Sequence, residues 1–225
     1  MNIPPAALLA LVSLAFPFVN ALAQSDQFPP TAHIVEEDFS PMENQWEPVN
    51  GTWTVANGTY GSSLAGGTDI STITSYRDVH PAGPPSTVLR FEEFFVRARV
   101  RNQGFDDTHH VGIVYGYEDS QNYYEAIISA VGSVRIRTVM NGVAVDELQS
   151  EALTSIARNT WCELEVRWKK GTTTVKINGQ TLNPVSQPEF PQGQVGFVTH
   201  AAVGRFDKVF VGLPFRFRQP GRFGL

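Results

Sequence analysis

From Ile34 onward the chain has no long apolar stripe at the 3.6-residue helical spacing. It offers short runs rich in Val, Ile, Thr, Tyr and Phe, broken by Gly, Asn, Asp and Pro, the pattern of half-buried strands joined by tight turns. The runs are Thr52–Val55, Ile70–Ser75, Val88–Val100, Val111–Tyr117, Tyr123–Ala130, Ser133–Met140, Cys162–Trp168, Thr172–Ile177, Val195–Thr199 and Arg205–Val211. Asn57-Gly58 and Asn178-Gly179 predict two-residue hairpin turns. Only Glu147–Arg158 has the composition of a short helical turn. This many short strands predicts an all-β fold, a jelly-roll β-sandwich of two antiparallel sheets.

Alternation assigns the faces. Phe94, Val96, Ala98 and Val100 share one side of their strand, and Phe95, Arg97, Arg99 and Arg101 share the other. Val134 and Ile136 point inward, which turns Arg135 and Arg137 outward. Outward arginines have two readings. One is a solvated face or an edge strand guarded by charge. The other is a cationic groove for an anionic glycan or a carboxylated ligand, which planar guanidinium forks suit. Trp53 and Trp168 alternate with apolar partners and belong to the core. Cys162, with Leu164, Val166 and Trp168 on its face, reads as a small buried hydrophobe.

The N-terminus has a different character. Pro5–Val19 is almost wholly apolar and leads to Ala21-Leu22-Ala23, a small-x-small cleavage pattern, so residues 1–23 read as a signal peptide cut before Gln24. The apolar stretch is shorter than the ~20 residues that span a bilayer. The expected organisation is a polar linker over 24–33, one domain over 34–213 and a tail over 214–225. The tail's three arginines and three phenylalanines read as a loose extension. The mature chain is expected to be secreted or periplasmic. With Cys162 the only cysteine, no internal disulfide can form, and a formal charge of -5 argues against general nucleic-acid binding.

Ordered motifs extend this reading. His110-Val-Gly-Ile-Val-Tyr-Gly-Tyr-Glu-Asp119, followed by Asn122-Tyr123-Tyr124, resembles the central strand-turn-strand of concanavalin A-like lectin/glucanase domains. Laminin-G-like and 3-keto-disaccharide hydrolase-like jelly rolls are the nearest in pattern. Asp38-Phe39, Gly51-x-Trp53, Val175-x-Ile177-Asn178-Gly179, Gly193-x-Val195-Gly196-Phe197 and Phe206-Asp207-x-Val209 follow in matching order. The resemblance covers about residues 35–212 and implies the fold far more than an activity. Relatives often carry an arginine where this chain has Gly116, which instead leaves room for a ligand or for close sheet packing. The resemblance also implies a structural calcium held by Asp38 near the first strand and Asp207 near the last, since hard carboxylate oxygens suit Ca²⁺. Hydrogen bonds from these residues to turn amides are the alternative.

Candidate chemistry is sparse. The glucanase-like Glu-x-Asp-x-x-Glu strand is missing, so no catalytic pair is assigned. Asp106-Asp107-Thr108-His109-His110 is the one local metal-like cluster, but adjacent histidines on an extended chain point apart, and the segment reads as a polar loop before a strand. Asn50-Gly51-Thr52 and Asn57-Gly58-Thr59 are glycosylation sequons, which also serve as turns. Tyr117 and Tyr123 flank the central turn, with Glu125 on the face of Tyr123, and are the candidates for sugar contact. The expected ligand site therefore comprises Arg97, Arg99, Tyr117, Tyr123, Glu125, Arg135 and Arg137. Three functions fit: a non-catalytic carbohydrate-binding or adhesion-type domain, a hydrolase of the 3-keto-disaccharide type, or a structural protein-interaction module. The expected partner is a glycan or oligosaccharide.

Overall fold

The computed structural model describes residues 31–39, 46–63, 66–73, 91–150, 156–190 and 192–214. The expected signal peptide and the tail beyond Pro214 lie outside them. Among the described residues no helix is long and apolar enough to cross a membrane.

Every strand pairing is antiparallel, and the strands divide into two sheets. In chain order they are β1 (Thr31–Glu37), β2 (Trp46–Pro48), β3 (Trp53–Ala56), β4 (Thr59–Ser62), β5 (Thr68–Ile73), β6 (Glu93–Asn102), β7 (His110–Asp119) and β8 (Asn122–Ser129). Then follow β9 (Val134–Met140), β10 (Val143–Ser150), β11 (Trp161–Lys169), β12 (Thr172–Ile177), β13 (Gln180–Thr181), β14 (Val185–Ser186), β15 (Gln194–His200) and β16 (Gly204–Pro214). One sheet runs β13-β12-β11-β6-β16-β4-β3, with β1 also on β16 and β14 also on β12. The other runs β10-β9-β8-β7-β15-β5-β2. The chain is an all-β jelly-roll sandwich, as its alternation predicts.

The core lies between the sheets. β6 buries Phe94, Val96, Ala98 and Val100 while its intervening residues stay half-buried, so its period of two is unbroken. From the facing sheet Val111, Ile113, Tyr115, Tyr124, Ala126, Ile128, Val134 and Ile136 fill the other side. Trp53, Trp168 and Cys162 are all buried there. At one end, rings stack in a chain: Trp53 on Tyr60 (centroids 5.1 Å apart), Tyr60 on Phe39 (5.4 Å) and Phe197 on Phe206 (4.2 Å). Such ring pairs add about 0.5–1.5 kcal/mol each beyond area burial.

The turns carry the expected chemistry. Asn57-Gly58 and Asn178-Gly179 both have positive φ at both positions and join β3 to β4 and β12 to β13. That is the mirror-image turn whose twist matches paired strands. The expected helical turn is overturned in part: Val143–Ser150 is a strand, paired with β9. Its register slips between Asp146 and Leu148, and its described residues up to Glu147 are exposed on both faces. An edge strand of this kind has no apolar alternation to betray it. The first strand also starts earlier than expected, because Thr31–His33 pair with Gly212–Pro214.

Candidate functional site

The outer face of the seven-stranded sheet carries the densest polar chemistry. On β8 the inward Tyr124, Ala126 and Ile128 leave Tyr123, Glu125 and Ile127 facing out. Register then sets a row across four strands: Val114 on β7, Glu125 on β8, Arg137 on β9 and Asp146 on β10. Glu125 is fully buried. Arg137 Nη1 donates to its Oε1 at 3.2 Å, and Arg137 Nε donates to Asp146 Oδ1 at 2.5 Å. From β15, His200 Nε2 sits 2.7 Å from Glu125 Oε2, and its Nδ1 lies 2.9 Å from Thr68 Oγ1 on β5. A carboxylate can only accept, so Nε2 carries a proton there. Arg135 Nη2 binds Asp107 at 2.8 Å, and its Nη1 lies 3.6 Å from Asp146.

Burial would push the Glu125 carboxyl up, but the His200 imidazole and the Arg137 guanidinium outweigh it and hold it below the ordinary value. His110, opposite His200 in register, is buried, with ring centroids 6.1 Å apart. Burial, then the Arg137, His200 and Arg135 charges, push its pKa down from 6.5 to about 4, Glu125 opposing them. Among the described residues its Nε2 and the Nε of Arg135 have no hydrogen-bond partner.

Of the expected site residues, Tyr117, Tyr123, Glu125, Arg135 and Arg137 share this face. Tyr117 and Tyr123 are buried and pack on each other at 6.0 Å. With Ile70, Val114, Ile127, Val139 and Val198 they form a second apolar cluster outside the main core. Arg97 and Arg99 lie on the other sheet and do not join them. Arg97 sits over the Phe210 ring at 5.0 Å, and Arg99 sits over Trp161 at 5.1 Å while donating to Asp207 at 3.2 Å. One groove holding all four arginines is therefore not formed, because β6 and β9 expose opposite surfaces of the sandwich. Sequence reasoning did not assign Asp146, His200, His110 or Thr68 to this site. Only the same-face spacing of Val198 and His200 hinted at one of them.

Asp38 and Asp207 lie just past the last β1–β16 register pair, Glu37 with Val209. Asp38 is exposed, and Asp207 is engaged by Arg99. The Asp106–His110 segment is a hydrogen-bonded loop. Asp106 Oδ1 accepts from the Thr108 amide at 2.8 Å and contacts His109 Nδ1 at 2.6 Å, while Asp107 takes Ser133 and Arg135. Among the described residues no three His, Cys, Asp or Glu side chains gather to hold a metal ion. Gly116 serves packing: its φ is +55°, and a Cβ there would come within 2.8 Å of the Tyr124 ring.

No family model matches the chain. No curated protein matches it. Solved structures do. A carbohydrate-binding module, CBM66 from Bacillus subtilis, superposes with a TM-score of 0.62 at 16% identity, over 75% of this chain and 95% of that one. What the two share is the β-sandwich fold. An endo-β-1,3-glucanase from Pyrococcus furiosus gives 0.57 at 8% identity, over 81% and 94%. The Bacteroides ovatus xyloglucan-locus protein GH43B gives 0.57 at 14%, with 80% of this chain matching 39% of that one. At these identities the likeness is one of architecture, shared by binding and cleaving proteins alike.

Proposed function

We propose that the chain is an exported, non-catalytic carbohydrate-binding β-sandwich whose glycan meets the outer face of the seven-stranded sheet. The observation that carries this reading is the Glu125–Arg137–Asp146 row, in which one guanidinium stands between two carboxylates. Hydrolysis by a carboxyl pair needs one acid kept protonated and a gap of ~5–9.5 Å left open between the two. Here Arg137 fills the gap, and Glu125 is held ionised. A row of fixed donors and acceptors with no free acid suits recognition of sugar hydroxyls. Arg135, Arg137, His200 and Asp146 form its partly exposed rim, and Tyr117 and Tyr123 back it with an apolar wall. Export rests on the Pro5–Val19 run and the Ala21-Leu22-Ala23 site.

Titration of the mature chain against a panel of neutral oligosaccharides tests the reading. We expect saturable binding without reducing-sugar release, weakened at least about tenfold by Asp146→Asn or Arg135→Ala, one charge-assisted contact being worth about that much. Turnover lost in Glu125→Gln, or a folded chain that binds no glycan, overturns it.

The proposal extends to a calcium ion at Asp38 and Asp207. Asp38 and Asp207 both lie beyond the last β1–β16 register pair, Glu37 with Val209, and binding requires Arg99 to release Asp207. A melting temperature that calcium raises and EDTA lowers supports this, and one that neither moves rejects it.

A further inference from the structure

We propose that β10 is the docking edge for the tail of a second copy of this chain, whose Phe215-Arg216-Phe217-Arg218 adds a strand to the seven-stranded sheet. β10 ends its sheet, paired with β9 on one side and with no described strand on the other. Edge strands are usually blunted by Lys, Pro or a bulge. Val143–Asp146 holds neither residue and meets β9 without a register slip, the bulge coming only after Asp146. The backbone groups of its open side are in line to receive another strand.

The two faces of this edge differ. Val145 lies opposite Thr138, and Leu148 opposite Ile136, on the face turned toward the nine-stranded sheet. There Leu148 packs against the core, but Val143 and Val145 remain 64% and 54% exposed. Met140, the register partner of Val143, is exposed beside them. The opposite face carries Asp146, and exposed Glu147 follows it.

The tail has the matching period. In an extended chain Phe215 and Phe217 point one way, and Arg216 and Arg218 the other. Laying the rings on Val143 and Val145 brings both guanidinium groups to the face of Asp146, and a slip of one residue spoils both matches. The strand's own ladder has no place for this segment. β16 pairs with β1 as far as Thr31 opposite Pro214, and the next residues there are Pro30 and Pro29, which have no N–H to give.

The donor is a second copy because the chain's own tail falls short. β16 stands over β15, where Phe206 stacks on Phe197 at 4.2 Å. From β15 the edge strand β10 is four strands away, about 19 Å at the usual spacing. Phe217, three residues past Pro214, reaches only about 10 Å even when fully extended. Each copy thus offers one edge and one tail, a head-to-tail contact.

Sedimentation equilibrium of the mature chain at rising concentration tests this contact. We expect the mass to climb above that of one chain. Val145→Lys, or Phe215→Ser combined with Phe217→Ser, should weaken association at least about tenfold while melting with the wild type. Mixing the two variants should restore a one-to-one complex and nothing larger, because one keeps a tail and the other an edge. A wild type that stays monomeric overturns the proposal, as does a tail variant that associates like the wild type, or a mixture that stays monomeric. Neither variant touches Tyr123 or Arg137, so the glycan titration reads separately.

Discussion

Glu125 and Arg137 are direct cross-strand partners on β8 and β9, and the carboxylate is fully buried while the guanidinium reaches on to Asp146. Removing one member of such a buried pair strands the other. Glu125→Gln should destabilise the fold by about 3 kcal/mol, whereas Glu125→Gln combined with Arg137→Met should cost clearly less than the two single changes added together. Urea denaturation of the four chains measures the coupling. Additive losses would show that the two groups act independently.

Acid should weaken the fold before ordinary carboxylates titrate. His110 has a folded pKa near 4 against the usual 6.5, so the unfolded chain binds more protons between those values. Stability is therefore fully present above pH 6.5 and falls as pH drops toward 4, by on the order of 3 kcal/mol for a group this buried. Glu125, held below its ordinary value, adds a loss of the same sign at lower pH. Denaturation at pH 7 and pH 4.5 should show a drop that His110→Gln reduces by about half or more. An equal drop in the variant would assign the effect elsewhere.

Gly193 backs directly onto Gly116, so that a Cβ would meet the Gly116 backbone and the Tyr117 amide rather than a side chain able to swing away. Gly193→Ala should cost about 3 kcal/mol, in the range of overpacked cores. Gly116→Ala should cost about 1–2 kcal/mol, from its left-handed φ and the Tyr124 ring. Thermal melting of the two variants ranks them, and a Gly193→Ala chain as stable as wild type would contradict the packing.

Cys162 lies in the core, with burial pushing its thiol up to about 12. A thiolate-selective reagent should leave the native chain unmodified over hours and modify it fully in denaturant, followed by mass spectrometry. Fast labelling under native conditions would place the thiol at the surface.

How much of this was legible follows from the range of each interaction. The alternation of Phe94–Arg101 and the Asn-Gly turns are local, and both carried through to the structure. The exposed edge strand β10 has no alternation, and it read as something else. His200 and Glu125 are 75 residues apart, and Arg101 and Arg205 stand opposite each other in register only because β6 and β16 are neighbours. No local pattern carries strand order. The sequence could put Arg97, Arg99, Arg135 and Arg137 outward, but it could not say that they face away from each other.

The antiparallel pairing of β1 with β16 sets Thr31 against Pro214 at one end and Glu37 against Val209 at the other. A pull between residues 31 and 214 therefore peels this pair one rung at a time instead of shearing all its rungs at once. Under tension the sandwich opens first at that seam. The seven-stranded sheet shares no strand with that seam, so none of its own pairings has to break for the seam to open.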